Sequence, residues 1–210
     1  MGSSKYVEFC CIRYTHISKC IALHESYHQN TTDEELTIWD VQTGKKIATL
    51  PIFPGIESAV RFSPDGSQMI VIPQEGSTAT MWDLATEKKL FDLTGHTLPL
   101  YTAAFSQDGK RLATAGKDGT VIVWDSQTGK SLLTLSGHSA SIWAVAFSRD
   151  GTRLATGGFD GVVKVWDVST GSNAGQELLN LSGYSSFIYT LDFSPDGRTL
   201  AASSFYGDSA

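Results

Sequence analysis

The stretch IWAVAFSRDGTRLATGGFDGVVKVWDVSTG, residues 142–171, decides the fold. Three short runs rich in β-branched and aromatic residues are set off by Asp150-Gly151, Asp160-Gly161 and Thr170-Gly171. Pairs of this kind adopt the positive backbone angles of tight turns, so the segment reads as three antiparallel strands. A fourth run follows in ELLNL (177–181), with counterparts in SLLTL (131–135) and KLFDL (89–93). No helical period interrupts them.

Outward from this unit the same marks recur. Trp-Asp stands at Trp39-Asp40, Trp82-Asp83, Trp124-Asp125 and Trp166-Asp167, with spacings of 43, 42 and 42 residues. An F-S-x-D-G box begins at Phe62, Phe105, Phe147 and Phe193. Gly-His occurs at Gly95-His96 and Gly137-His138, and the next copy is Gly183-Tyr184. Three independent marks held in step at this period mean stacked four-stranded units, each burying its neighbour's face. The fold class expected is all-β: a propeller of four-stranded antiparallel blades in an incomplete ring. Approximate blades are 6–50, 51–94, 95–136, 137–182 and an incomplete 183–210, together one domain.

The Gly-His, the Asp six residues before Trp, and the Trp-Asp pair resemble the WD-repeat family over nearly the whole chain. The match is most specific in residues 95–181. The resemblance implies a hydrogen-bonded tetrad in each blade: His96, Thr114, Asp118 and Trp124 in the third, and His138, Thr156, Asp160 and Trp166 in the fourth. Both sets place His 28 and Asp 6 residues before Trp. Buried polar groups of this kind are tolerable only if each satisfies another, so the network should tie the loop before a blade's first strand to its second turn.

Other blades depart from the pattern. The second has PIFPGIE in place of Gly-His and Gly76 in place of the Asp. The first keeps Asp33 but carries extra residues between its second and third strands. The fifth has Tyr184, Ala202 and Tyr206 at the His, Thr and Asp positions. Complete family members most often have seven blades, roughly 290 residues at this period. About four and a half are expected here, starting at a strand near Tyr6 to Tyr14, as in a fragment of a longer propeller. The similarity of blades three and four resembles bacterial or fungal multi-repeat members, whose propellers often form the sensing end of signalling proteins.

Several motifs could carry chemistry. The His, Thr and Asp of a tetrad form the set used in nucleophilic catalysis, but a set repeated in each blade and buried there reads as structural. Thr128-Gly129-Lys130-Ser131 resembles the end of a phosphate loop, yet Trp124 occupies the position of its first Gly. It is read as a hairpin turn. Cys10, Cys11, His16, Cys20, His24 and His28 gather possible zinc ligands in 19 residues. Their spacing fits no common zinc pattern, and cysteine packs well as a small strand hydrophobe, so no metal or other cofactor is expected. Asp33-Glu34-Glu35 lacks the alternating ligands of a calcium loop and reads as an exposed turn.

The strongest functional signal is an aromatic residue at one repeated position. Tyr101, Trp143 and Tyr189 lie at matching sites in three units. The apolar residues around them are three apart rather than two: Leu100 and Ala103, Ile142 and Val145, Ile188 and Leu191. This break implies a bulge that turns the intervening ring out of the core. By the resemblance, the position lines the channel rim on the family's usual partner-binding face. Pro99, Ser141 and Phe187 should lie beside these rings, joined by Lys117 and Phe159. The competing reading is that the rings fill space between blades.

The charged fraction of 18% and a net charge of −6 argue against non-specific binding to nucleic acid or anionic membranes. No apolar stretch reaches the length of a membrane span. Three cysteines in an odd cluster form no disulfide framework, so a cytoplasmic setting is expected. The expected function is a non-catalytic interaction scaffold or sensor module that presents an aromatic-rich face to a protein or peptide. Self-association through open blade edges is a further expectation. A degenerate fragment without independent function and a propeller enzyme or metal protein remain the alternatives.

Overall fold

The computed structural model describes residues 19–24, 34–52, 60–73 and 75–204. The strand expected near Tyr6 to Tyr14 lies outside them, as do Cys10, Cys11, His16, His28, Asp33 and Tyr206. Every regular element described is a β-strand. Five antiparallel sheets follow in chain order. The first holds β1 (Lys19–His24), β2 (Glu34–Asp40) and β3 (Lys46–Ile52). The second holds β4 (Val60–Phe62), β5 (Gln68–Val71), β6 (Ala79–Asp83) and β7 (Lys88–Leu93). The third holds β8 (Leu100–Phe105), β9 (Arg111–Gly116), β10 (Thr120–Asp125) and β11 (Ser131–Ser136). The fourth holds β12 (Ile142–Phe147), β13 (Arg153–Gly158), β14 (Val163–Asp167) and β15 (Glu177–Leu181), and the last pairs β16 (Ile188–Phe193) with β17 (Leu200–Ser204). These are the blades of an incomplete propeller.

Turn chemistry sets the strand boundaries. In each F-S-x-D-G box the serine hydroxyl donates to the aspartate two residues on, at 2.7 Å for Ser63–Asp65 and 2.6 Å for Ser106–Asp108, Ser148–Asp150 and Ser194–Asp196. The glycine that follows adopts φ near 70°, the left-handed region where a side chain is strained. The Asp of Trp-Asp caps the third-to-fourth strand hairpin. Asp125 accepts from the backbone N–H groups of Gln127 and Thr128 and from the Thr128 hydroxyl. This same turn holds Thr128-Gly129, with Gly129 at φ 69°. The sequence resembling a phosphate loop therefore joins β10 to β11 and opens no helix.

One expectation needs correction. Glu34 and Glu35 open β2, pairing with Ile52 and Pro51, rather than forming an exposed turn. The hairpin at residues 40–46 returns the chain in register, and the ladder runs on to satisfy their backbone groups. The added length before them is real: β1 and β2 are joined by residues 25–33, whereas β9 and β10 need only 117–119.

The core lies between sheets. One cluster joins Ile70, Met81 and Leu93 of the second blade to Leu112, Ile122 and Trp124 of the third. The next joins Ala113, Val123 and Leu135 to Leu154, Trp166 and Val168 of the fourth. The first strands pack side by side: β4 on β8, β8 on β12 and β12 on β16. Small residues permit the closest approaches. A Cβ at Gly157 would lie 2.5 Å from Ile188 Cγ2 in the next blade. Gly157→Ala is therefore expected to cost about 1–3 kcal/mol as overpacking, read from the denaturant midpoint. Leu154→Ala should cost about 2–5 kcal/mol as a cavity.

Candidate functional site

Two polar networks stand in matching places in the third and fourth blades. The Trp124 indole N–H donates to Thr114 Oγ1 at 2.8 Å. His96 Nε2 lies 2.9 Å from the same hydroxyl, and Nδ1 lies 2.9 Å from Asp118 Oδ2. Since Oγ1 accepts from the indole, its own proton is free for Nε2, which leaves Nδ1–H to donate to the carboxylate. Asp118 also accepts from the backbone N–H groups of Thr97 and Thr120. The fourth blade repeats this order with Trp166, Thr156, His138 and Asp160, at 2.9, 2.8 and 2.9 Å. Each chain ties the loop before a first strand to the turn between second and third strands.

Sequence explains why the ring fits. A Cβ at Gly95 would meet the Trp124 ring at 3.2 Å, and one at Gly137 the Trp166 ring at 3.1 Å. The glycine of Gly-His thus lets the indole lie against the backbone. Thr114 and Thr156 are fully buried, so neither hydroxyl can reach a substrate. The second blade has Ile72, 1% exposed, ten residues before Trp82 where these blades have Thr. Ile72 packs instead in the apolar cluster between the second and third blades.

Burial holds the His138 imidazole below its ordinary value of 6.5, outweighing the upward pull of Asp160. Burial works against the Asp118 carboxylate, yet the Thr120 N–H and the His96 ring outweigh it and keep that carboxyl below 3.8. Both shifts make acid destabilising, in separate windows. Below pH 6.5 the unfolded state binds more protons at His138 than the folded state does, so stability falls. Asp118 adds to the loss only below about pH 4.

The second candidate lies on the first strands β8, β12 and β16. Ladder register shifts between Leu100 and Thr102, Ile142 and Ala144, and Ile188 and Thr190, each skipping one aromatic residue. The skipped residues are Tyr101, Trp143 and Tyr189, and Tyr189 is 57% exposed. Tyr101 and Trp143 have ring centroids 4.7 Å apart, and Trp143 lies 5.6 Å from Phe159 and 6.3 Å from Phe187. Phe159 and Phe187 stack at 4.5 Å and 8°. These contacts make one aromatic path across three successive blades. Phe159 and Lys117 are exposed, whereas Tyr101, Trp143 and Phe187 are half-buried. Pro99 and Ser141, also half-buried, use their carbonyls to hold the backbone N–H groups of Lys117 and Phe159, each at 2.8 Å. The Trp143 indole N–H is buried without an acceptor among the described residues.

A groove of about 350 Å³ runs along the inner strands beside Trp143 and Tyr189, with Arg61, Gln107, Arg149 and Asp192 on its walls. Among the described residues no three His, Cys, Asp or Glu side chains gather as a metal site. Sequence reasoning passed over Arg111, which crosses between blades to the carbonyls of Val168 and Gly151. The signal was an Arg-Leu pair following the Asp-Gly turn at Arg111 and again at Arg153.

Two outcomes are expected of the networks. Thr156→Val strands the Trp166 N–H and His138 Nε2 and should cost about 2–4 kcal/mol, whereas Thr156→Ser should cost far less, both read by chemical unfolding. The melting temperature should fall from pH 7.5 to 5.5, and the fall should shrink in a His138→Gln variant.

Comparison with known proteins agrees with this fold. The family model "WD domain, G-beta repeat" (WD40) matches residues 87–125, 129–167 and 175–209, together just over half of the chain. Human WD repeat and SOCS box-containing protein 1 is 34% identical over 87 residues, which is 41% of this chain and 21% of that protein. Mouse coronin-7 is 43% identical over 96 residues, 42% of this chain and 10% of that protein. TOPLESS-related protein 2 of Oryza sativa subsp. japonica is 27% identical over 101 residues, 47% of this chain and 9% of that protein. The chain thus spans about a tenth to a fifth of the length of these curated relatives. They come from animals and a plant, and add nothing to the bacterial or fungal likeness of the sequence. With Trp-Asp repeats in register, four-stranded blades and a family match over most of its second half, the chain belongs to the WD40 family.

Proposed function

We propose that this chain is a non-catalytic interaction module that binds a protein or peptide on the face carrying Tyr101, Trp143, Phe159, Phe187 and Tyr189. The observation that carries the reading is the path of ring contacts across three blades. Large rings on rigid strands give contact area at little entropic cost, the composition of an interaction hot spot. Lys117, exposed at the repeat position of Phe159, offers a cation suited to a partner with acidic or carbonyl groups. A sensor role in a larger signalling assembly is a narrower form of the same proposal.

Trp143 bears on the competing, space-filling role. A phenylalanine would fill that space without leaving an indole N–H buried and unpaired, which costs about 1–3 kcal/mol. A Trp kept at that cost supports a use beyond packing. Random peptides displayed on phage can be selected against the purified chain, and the enriched sequences titrated by calorimetry. Binding should weaken about tenfold or more with Trp143→Ala or Phe159→Ala and stay unchanged with Lys46→Ala. Enriched peptides indifferent to both aromatic changes would place binding elsewhere. Trp143→Phe should keep or raise the melting temperature while weakening the same peptides.

A further inference from the structure

Each of the first four sheets ends on an outer strand whose far side has no ladder partner among the described residues: β3, β7, β11 and β15. Such an edge is a row of N–H and C=O groups ready to pair with another strand, and charges or proline on the strand normally oppose this. β3 (KIATLPI) has Lys46 and Pro51, β7 (KKLFDL) has Lys88, Lys89 and Asp92, and β15 (ELLNL) opens with Glu177. β11 (SLLTLS) has neither charge nor proline.

The unguarded edge is also open to solvent. It belongs to the third blade, with the second and fourth blades described on either side. Ser131, Thr134 and Ser136 are exposed, and Leu132 is 46% exposed. Leu132 is skipped by a bulge opposite Trp124, and all four outer strands share that bulge. Past it, Leu133 to Ser136 run in unbroken register with Val123 to Thr120. Side chains alternate along this run. Leu133 and Leu135 lie on the face packed against the fourth blade, and Thr134 lies on the other.

We propose that β11 pairs antiparallel with β11 of a second copy of this chain, about a two-fold axis at Thr134. Two four-stranded blades then become one eight-stranded sheet. The occupant follows from the symmetry of the strand. Leu133-Thr134-Leu135 reads the same in both directions, so the axis sets Thr134 against its own copy and Leu133 against Leu135 of the other. A Thr–Thr pair is favourable across antiparallel strands, and the leucine pairs extend the apolar face beneath it. The same register fails in the other blades. In β7 it would set Asp92 against Asp92, a like-charge pair. In β15 the central Asn180 amide is held by Glu177 Oε1 at 3.1 Å, and in β3 Pro51 lacks an N–H to donate. Leu90 and Leu178, exposed by 42% and 43% at the repeat position of Leu132, continue the aliphatic strip on either side. Contact centred on one strand is smaller than a permanent interface, so the dimer is reversible.

Light scattering and sedimentation of the purified chain over about 1 μM to 1 mM should show monomer passing into dimer. Thr134→Asp, which installs the residue that β7 has at this position, should raise the dimer dissociation constant about tenfold or more. Thr134 is exposed, and a cooperative melt confirms that the variant is folded. The same change one blade on, Asn180→Asp, should leave the dimer intact. So should Trp143→Ala, which separates this contact from the aromatic face. Hydrogen exchange locates the contact: amides of β11 should slow as concentration rises, and those of β7 should not. A chain that stays monomeric throughout that range would overturn the proposal. So would a dimer that Thr134→Asp leaves unchanged, or concentration-dependent protection confined to another strand edge.

Discussion

The structure depends on one side chain doing two jobs. The indole of the third strand donates its N–H to a threonine inside its own blade while its ring lies over the apolar face of the blade before it. The first job needs a hydrogen-bonded line through threonine, histidine and aspartate, because a buried indole N–H left alone is costly. The second needs leucines or similar residues on the preceding blade. Intra-blade order and inter-blade packing are therefore coupled through Trp124 and Trp166. Where the tetrad is missing, as at Ile72 and Gly76, the second job persists: Trp82 still packs on the cluster of the first blade.

Rigidity gained this way bears on function. The loops that carry Lys117 and Phe159 are the turns that Asp118 and Asp160 hold from beneath. The loops that carry Pro99 and Ser141 begin at His96 and His138. A tetrad thus fixes the segments that frame Tyr101 and Trp143. A surface preorganised in this way loses little entropy when a partner docks, so modest contact area can yield useful affinity.

Much of the fold was legible because its marks are local. Asp-Gly boxes, Trp-Asp pairs and Gly-His pairs act within a few residues, and their common period shows that they stack. The aromatic bulge was legible for the same reason, since a change from two to three in apolar spacing has a single backbone consequence. Contacts between blades were not. Arg111 meets Val168 across 57 residues, and the Arg-Leu pair that marks its position does not name that partner. The exposure of Leu181 against the burial of Leu135 depends on what the next blade lays over it. Glu34 and Glu35 read as a turn because their charges suggested solvent, while their backbones were claimed by the ladder to Pro51 and Ile52.

Native-state hydrogen exchange, resolved by peptide mass spectrometry, tests the coupling most directly. If tetrad and indole packing stabilise one another, the slowest amides will lie in β9, β10 and β13, which have complete networks and covered faces. Those of β15, β16 and β17 will exchange much faster. Uniform protection across all blades, or greatest protection in β16 and β17, would contradict the account.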